Sequence, residues 1–133
     1  MGLCNCIQNY REKKELETYT AYNTEWLTLR GDYFMCKVID VYDGDTVTVS
    51  FRYHGVPTKK KCRLSGIDTA EIRSQDEKEK KHARIAKDFL ERLVLNKVVW
   101  IKCGDWDKYG RLLGTFYLER DSRVSINDAS IRS

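Results

Sequence analysis

Asp43-Gly44-Asp45-Thr46-Val47-Thr48-Val49-Ser50-Phe51-Arg52-Tyr53 begins with a turn dipeptide and continues as an alternation. Asp-Gly is a strong short-range hairpin signal. After it Val47, Val49 and Phe51 alternate with Thr46, Thr48 and Ser50, the period of a strand with one buried face. Upstream, residues 34–41 form a second β-rich run, Phe-Met-Cys-Lys-Val-Ile-Asp-Val. Downstream, His54-Gly55-Val56-Pro57 reads as another turn, and Thr58 to Ile67 returns as a third strand that opens on Lys59, Lys60 and Lys61. Three strands joined by tight turns predict a meander.

Working outward, Gln75 to Leu95 carries apolar residues at the helical period. Ala86, Leu90 and Leu93 share a face with Ile85, Phe89 and Val94, and Glu77, Lys78, Lys80, Lys81, Arg84 and Lys87 take the other side. Asn96 is a plausible stop. Val98 to Cys103 is a fourth strand, Asp107 to Arg111 a charged turn, and Leu112 to Leu118 a fifth strand. Val124 to Ile131 begins a second helix of this domain with Ser125 as its N-cap. Five strands with a helix between the third and fourth is the order of an oligonucleotide/oligosaccharide-binding (OB-fold) β-barrel with helices. Residues 33–133 are read as that domain. Residues 1–32 are read as an extension, with a short polar helix from Tyr10 to Thr18 and with Trp26, Leu27 and Leu29 docked on the body.

The composition is that of an ordinary globular domain, 41% hydrophobic and 33% charged, in a chain of 133 residues. A formal charge of +4 permits an anionic partner without requiring one. The five cysteines include no C-x-x-C pair and stand far from His54 and His82. That argues against structural zinc and against a disulfide framework, and Cys36, Cys62 and Cys103 are expected to be buried thiols. No stretch approaches the roughly 18 apolar residues of a membrane span, and no secretory leader is visible. The expected location is intracellular and cytoplasmic.

Met1-Gly2-Leu3-Cys4-Asn5-Cys6 is the one stretch with the look of an address. Gly2 is placed to accept myristate, and Cys4 and Cys6 to accept palmitate, the two signals that stable tethering to a membrane surface requires. Cys6 stands where the usual pattern has Ser or Thr, and the alternative is an unmodified terminus.

Three polar clusters carry the chemistry. Asp43-Gly44-Asp45-Thr46 can be read as a hairpin turn alone. Asp68-Thr69-Ala70-Glu71 has the spacing of a capping box, and Asp107-Lys108-Tyr109-Gly110-Arg111 can be a solvated loop. Together with Arg63 they supply carboxylates for a hard cation and two guanidinium groups for a phosphate. Lys59 to Lys61 read either as an extension of a positive surface or as a solvated hairpin tip. Tyr109 is assigned to core packing ahead of substrate contact.

In order and spacing these clusters resemble the staphylococcal nuclease (thermonuclease) family from about residue 34 onward. The resemblance implies the same five-stranded barrel and a calcium-dependent hydrolysis of DNA and RNA that leaves 3′-phosphate ends. By the same resemblance Asp45, Asp68 and the backbone carbonyl of Thr69 would hold Ca²⁺. Glu71 would act as general base on the attacking water, and Arg63 and Arg111 would grip the phosphate. Little sequence preference is expected, because phosphate contacts carry no sequence information. Single-stranded or open regions are the expected substrate. Two departures stand out. Ala70 replaces the proline usual in the family motif. The family pattern also continues past Ser133, so the C-terminal helix is expected to be truncated and the helical part that follows to be lacking. The alternatives are a non-catalytic nucleic-acid-binding module and a membrane-tethered interaction protein, and no obligate protein partner is evident.

Overall fold

The computed structural model describes residues 2–66, 76–120 and 122–132. Its elements in chain order are α1 (Gly2–Leu16), β1 (Tyr33–Val41), β2 (Thr46–Tyr53), β3 (Val56–Leu64), α2 (Glu77–Val94), β4 (Val98–Trp106), β5 (Leu112–Tyr117) and α3 (Ile126–Arg132). The strands form a closed barrel in the order β1-β2-β3-β5-β4. Every pairing is antiparallel except β3 with β5, which is parallel and short, from Cys62↔Leu112 to Leu64↔Gly114. This is the five-stranded barrel that the sequence predicts, with α2 between β3 and β4.

The alternation along β2 decides what is inside. Val47 and Val49 are fully buried together with Val38, Cys62, Leu64, Val99, Ile101, Leu112 and Phe116. The hairpin between β2 and β3 turns at His54 and Gly55, both with positive φ (49° and 79°). Positive φ at both central residues is what a two-residue turn matched to strand twist demands. β3 ends at Leu64 and not at Ile67, because Gly66 at φ 78° turns the chain out of the ladder. Ile67 itself lies outside the described residues.

α2 packs on the barrel core through Leu90 and Val94. Asp76 caps it by accepting from the Lys78 amide at 2.9 Å. At its other end Asn96 sits at φ 62° and donates its amide to Val38 O at 2.8 Å, which makes it the stop. The buried face runs through Ala83, Leu90 and Val94. Ile85, placed on that face by the sequence reading, is 56% exposed. The stripe is rotated toward Ala83, and Ile85 instead lines a groove of about 320 Å³ with Gly44, His82, Ala86, Phe89, Arg92 and Ser130.

The N-terminal region differs from expectation. α1 spans Gly2–Leu16, starting earlier than Tyr10, and its described side chains from Asn5 onward are exposed. Trp26 is 95% exposed and Leu27 73%, so neither docks through its side chain. What docks is Leu29, which packs on the core, and the backbone of Leu27, whose carbonyl accepts from Trp106 Nε1 at 3.1 Å. No helix among the described residues is long and apolar enough to cross a membrane.

Cys36, Cys62 and Cys103 are buried and unpaired as expected. Burial pushes the thiols of Cys36 and Cys62 up to about 12, which keeps them protonated and unreactive at neutral pH.

The parallel seam is tied by one buried side chain. Asn127, 3% exposed on α3, accepts from the Phe116 amide at 3.0 Å through Oδ1. Its Nδ2 donates to Ser65 O at 2.9 Å and to Gly114 O at 3.0 Å. Ser125 holds the start of α3 as predicted, its hydroxyl accepting from the Asp128 amide at 3.0 Å. Gly114 has no room for a side chain, since a Cβ there would lie 2.7 Å from Ile101 Cδ1. Replacing Asn127 by Ala strips partners from the Phe116 amide and the Ser65 carbonyl, and is expected to cost about 2–3 kcal/mol. A urea titration showing a lowered midpoint with unchanged slope checks this.

Candidate active site

At the end of the barrel opposite the His54–Gly55 tip, the β1–β2 turn, the end of β3 and the turn before β5 come together. The register brings this about: Thr46 pairs with Arg63, and Arg63 with Leu113. The Asp43–Thr46 stretch is a hairpin turn in its own right. Asp43 Oδ1 accepts from the Asp45 amide at 3.0 Å, and the Tyr42 amide donates to Thr46 O at 2.9 Å. The same turn fixes Asp45 by its backbone, whose carbonyl accepts from the Leu64 amide at 2.8 Å.

Asp45 is buried, with 7% of its surface exposed. Its Oδ1 accepts from the Thr46 hydroxyl at 2.9 Å, and its Oδ2 lies 3.6 Å from Arg63 Nε. Thr46 is the joint of the site, because its hydroxyl oxygen also accepts from Arg111 Nη1 at 3.2 Å. Arg111 is held from behind as well. Its Nε donates to Asp107 Oδ2 at 2.6 Å, while Asp107 Oδ1 accepts the amides of Tyr109 and Arg111, both at 2.8 Å. Both arginines predicted from sequence thus converge on the Asp45–Thr46 turn. Thr46 and Asp107, to which the sequence reading gives no separate role, set their geometry. An Asp four residues before an Arg across a Gly-containing turn is the signal that could have flagged the second of these.

Tyr109 corrects the sequence reading. It is 72% exposed and not part of the core, and its ring lies 5.4 Å from the Arg111 guanidinium carbon. Asp68, Thr69 and Glu71, together with Ala70, lie outside the described residues. At the N-terminus Cys6 is exposed, and the exposure of Gly2 and of the Cys4 side chain is outside the description.

The donor chemistry on the described side suits a hard cation. Burial pushes the Asp43 carboxyl up to about 6, helped by the hydrogen bond and charge of the adjacent Asp45. Two crowded carboxyls with oxygen donors only are a setting that a divalent cation would relieve. Among the described residues no three His, Cys, Asp or Glu side chains gather at one point. Asp45 is the one expected ligand within them.

The Asp107 carboxyl moves the other way. Burial works to raise it, but the amides of Arg111 and Tyr109 and the Arg111 guanidinium outweigh that and hold it below its ordinary value of 3.8. A folded-state value below the unfolded one means stability present at neutral pH and lost as pH falls below the ordinary value. Asp107→Asn is therefore expected to flatten the acid limb of the stability curve. Urea midpoints at neutral pH and in acid, at about pH 3, check this. The wild type should lose more stability than the variant between the two.

No curated protein matches the chain. A family model described as staphylococcal nuclease homologue matches residues 61–132, more than half of the chain. The match runs from β3 to α3 and takes in Arg63, the Asp107–Arg111 turn and the Asn127 tie. The chain belongs to the staphylococcal nuclease homologue family.

Proposed function

We propose that this chain is a calcium-dependent nuclease that hydrolyses phosphodiester bonds of DNA and RNA with little sequence preference and leaves 3′-phosphate ends. The observation that carries the reading is the convergence of Arg63 and Arg111 on the buried Asp45–Thr46 turn. Two guanidinium forks beside a buried carboxylate form a site for a phosphodiester together with a cation, and family membership supplies the reaction class.

In this reading Asp45, Asp68 and the Thr69 carbonyl would hold Ca²⁺, which would supply Lewis-acid polarisation of a phosphoryl oxygen. Glu71 takes a proton from the attacking water. Arg111, fixed by Asp107 and Thr46, donates to the phosphate without having to be ordered at the moment of reaction. Arg63, more loosely paired with Asp45, turns onto a second oxygen as negative charge builds there. The water oxygen bonds to phosphorus as the bond from phosphorus to the 5′ oxygen breaks, the 5′ oxygen takes up a proton from solvent and leaves as a hydroxyl, and the phosphate stays on the 3′ side. Single-stranded or locally open nucleic acid is the substrate in this reading, because a site that grips the phosphate needs access to an unstacked backbone.

Degradation of heat-denatured DNA with millimolar Ca²⁺ against excess chelator tests this. Cleavage is expected only with Ca²⁺. Glu71→Gln should lower the rate by about 10²–10⁴, and Arg111→Ala by about 10²–10³. Retained DNA binding without cleavage in the folded wild type would instead make the chain a non-catalytic binding module.

We further propose acylation of Gly2, with Cys4 and Cys6 as palmitate acceptors, as a tether to a membrane surface. Support comes from the standing of α1, whose described side chains are exposed, clear of the barrel. Gly2→Ala is expected to abolish myristate incorporation and to shift the protein from the membrane to the soluble fraction on cell fractionation.

A further inference from the structure

The three consecutive lysines of β3 do not act together. Lys60 points away from its neighbours, its Nζ 4.8 Å from the centre of the Trp106 ring, and is half-buried there. Lys59 and Lys61 are exposed and alternate with the buried Cys62 and Leu64, which places them on the outer face of the sheet with Arg63. They stand well inside the strand, not at its hairpin tip. Their partners across the β2–β3 ladder are hydroxyls: Ser50 pairs with Lys59, Thr48 with Lys61 and Thr46 with Arg63. From the next strand exposed Lys37 stands beside Ser50. Arg52, also exposed, continues the same face of β2.

This is a graded surface. It begins at the candidate active site, where Arg63 touches Asp45, and runs away from it along β3 as Arg63, Lys61 and Lys59. Alternate residues of a strand are about 6.8 Å apart. Three cations in that row can each meet a successive phosphate of an extended single strand, with the hydroxyl row of β2 alongside as neutral donors. The opposing charge is light. Asp40 on β1 faces Thr48. Neither Lys37, Arg52, Lys59 nor Lys61 forms an ion pair with another described residue. Exposed apolar side chains, Met35 and Val98, lie beyond Lys37 on β1 and β4, and the β3 row itself is a regular line of cations. It suits a polyanion of regular charge spacing.

We propose that the outer face of β2 and β3 is a phosphate-binding track that leads a single-stranded nucleic acid into the Arg63–Arg111 site, with Lys61 and Lys59 each holding one successive phosphate. The proposal rests on the nuclease reading for the identity of the polyanion. It adds where the strand lies and which residues lengthen the binding site beyond the scissile phosphate.

Fluorescence anisotropy with labelled oligothymidylates of two and eight nucleotides tests it, in excess chelator so that nothing turns over. The wild-type chain is compared with Lys59→Ala/Lys61→Ala and with Lys78→Ala/Lys81→Ala, which removes two exposed charges from α2 instead. The track predicts that the wild type binds the longer oligomer more tightly. It also predicts that the β3 variant loses about tenfold in affinity for the longer oligomer but not for the shorter. Its salt slope should fall by about 1.4, two phosphate contacts on a single strand, with the α2 variant unchanged. A β3 variant that binds the longer oligomer like the wild type overturns the track and leaves the nuclease reading standing. So does an α2 variant that loses as much, since that marks general charge attraction. A folded wild type that binds neither oligomer at low salt also overturns the track, and the nuclease reading is then decided by the cleavage test with Ca²⁺.

Discussion

The barrel depends on a short parallel seam. Four of its five strand contacts are antiparallel and the longest of them, β2 with β3, runs from Thr46↔Arg63 to Tyr53↔Val56, whereas β3 and β5 meet at Cys62, Arg63 and Leu64 alone. A pairing so short cannot hold two strands by ladder bonds. It is fastened by the carboxamide of Asn127, which reaches Phe116, Gly114 and Ser65 at once, and by Ser65 donating to Gly114 O at 2.9 Å. Gly114 lets Ile101 fill the space that a side chain would need. The site inherits this arrangement. Arg63 stands on one side of the seam and Arg111 just before the other, so their separation is fixed by the closure of the barrel.

The two arginines are held differently. Arg111 has a tight, multiply supported partner in Asp107 and a second contact in Thr46. Arg63 has a carboxylate at 3.6 Å, too long for a good hydrogen bond. In the proposed function, pre-ordering one fork lowers the cost of binding a phosphate, and the other gives up Asp45 at little cost in contacts. The same carboxylate that pairs with Arg63 is the one expected to face a cation. Occupancy by either therefore alters the charge available to the other.

Much of this was legible in the residues. The alternation from Thr46 to Phe51 gave a buried face of Val47 and Val49, and the turn dipeptides marked the ends of β1 and β2. Asn96 and Ser125 are where helix-end chemistry predicts. The failures have physical causes. Ile85 fits the helical period of α2, but the period fixes only the spacing of a stripe, and a rotation toward Ala83 exposes it. Trp26 is large and apolar, which predicts burial, yet the contact in this region is made by the backbone of Leu27. Tyr109 reads in sequence as a packing residue ahead of a substrate contact, while the Asp107 turn presents it outward. Arg63 and Arg111 were identifiable from motif spacing. That Thr46 joins them, and that Asn127 stands behind both, depends on contacts across 65 and 62 residues of chain, which no local pattern encodes.

The order of the strands also bears on how the chain is made. During synthesis β1, β2 and β3 emerge as a meander whose last strand has an unpaired edge. That edge is covered by β5, and only after α2 and β4 have followed. Until residues 112–117 are available, β3 offers free amides and carbonyls beside the apolar Cys62 and Leu64, the kind of edge that recruits foreign strands. Lysines along that strand repel a second copy of the same intermediate. The row of charge proposed as a track on the folded barrel thus also protects the nascent chain from its own kind.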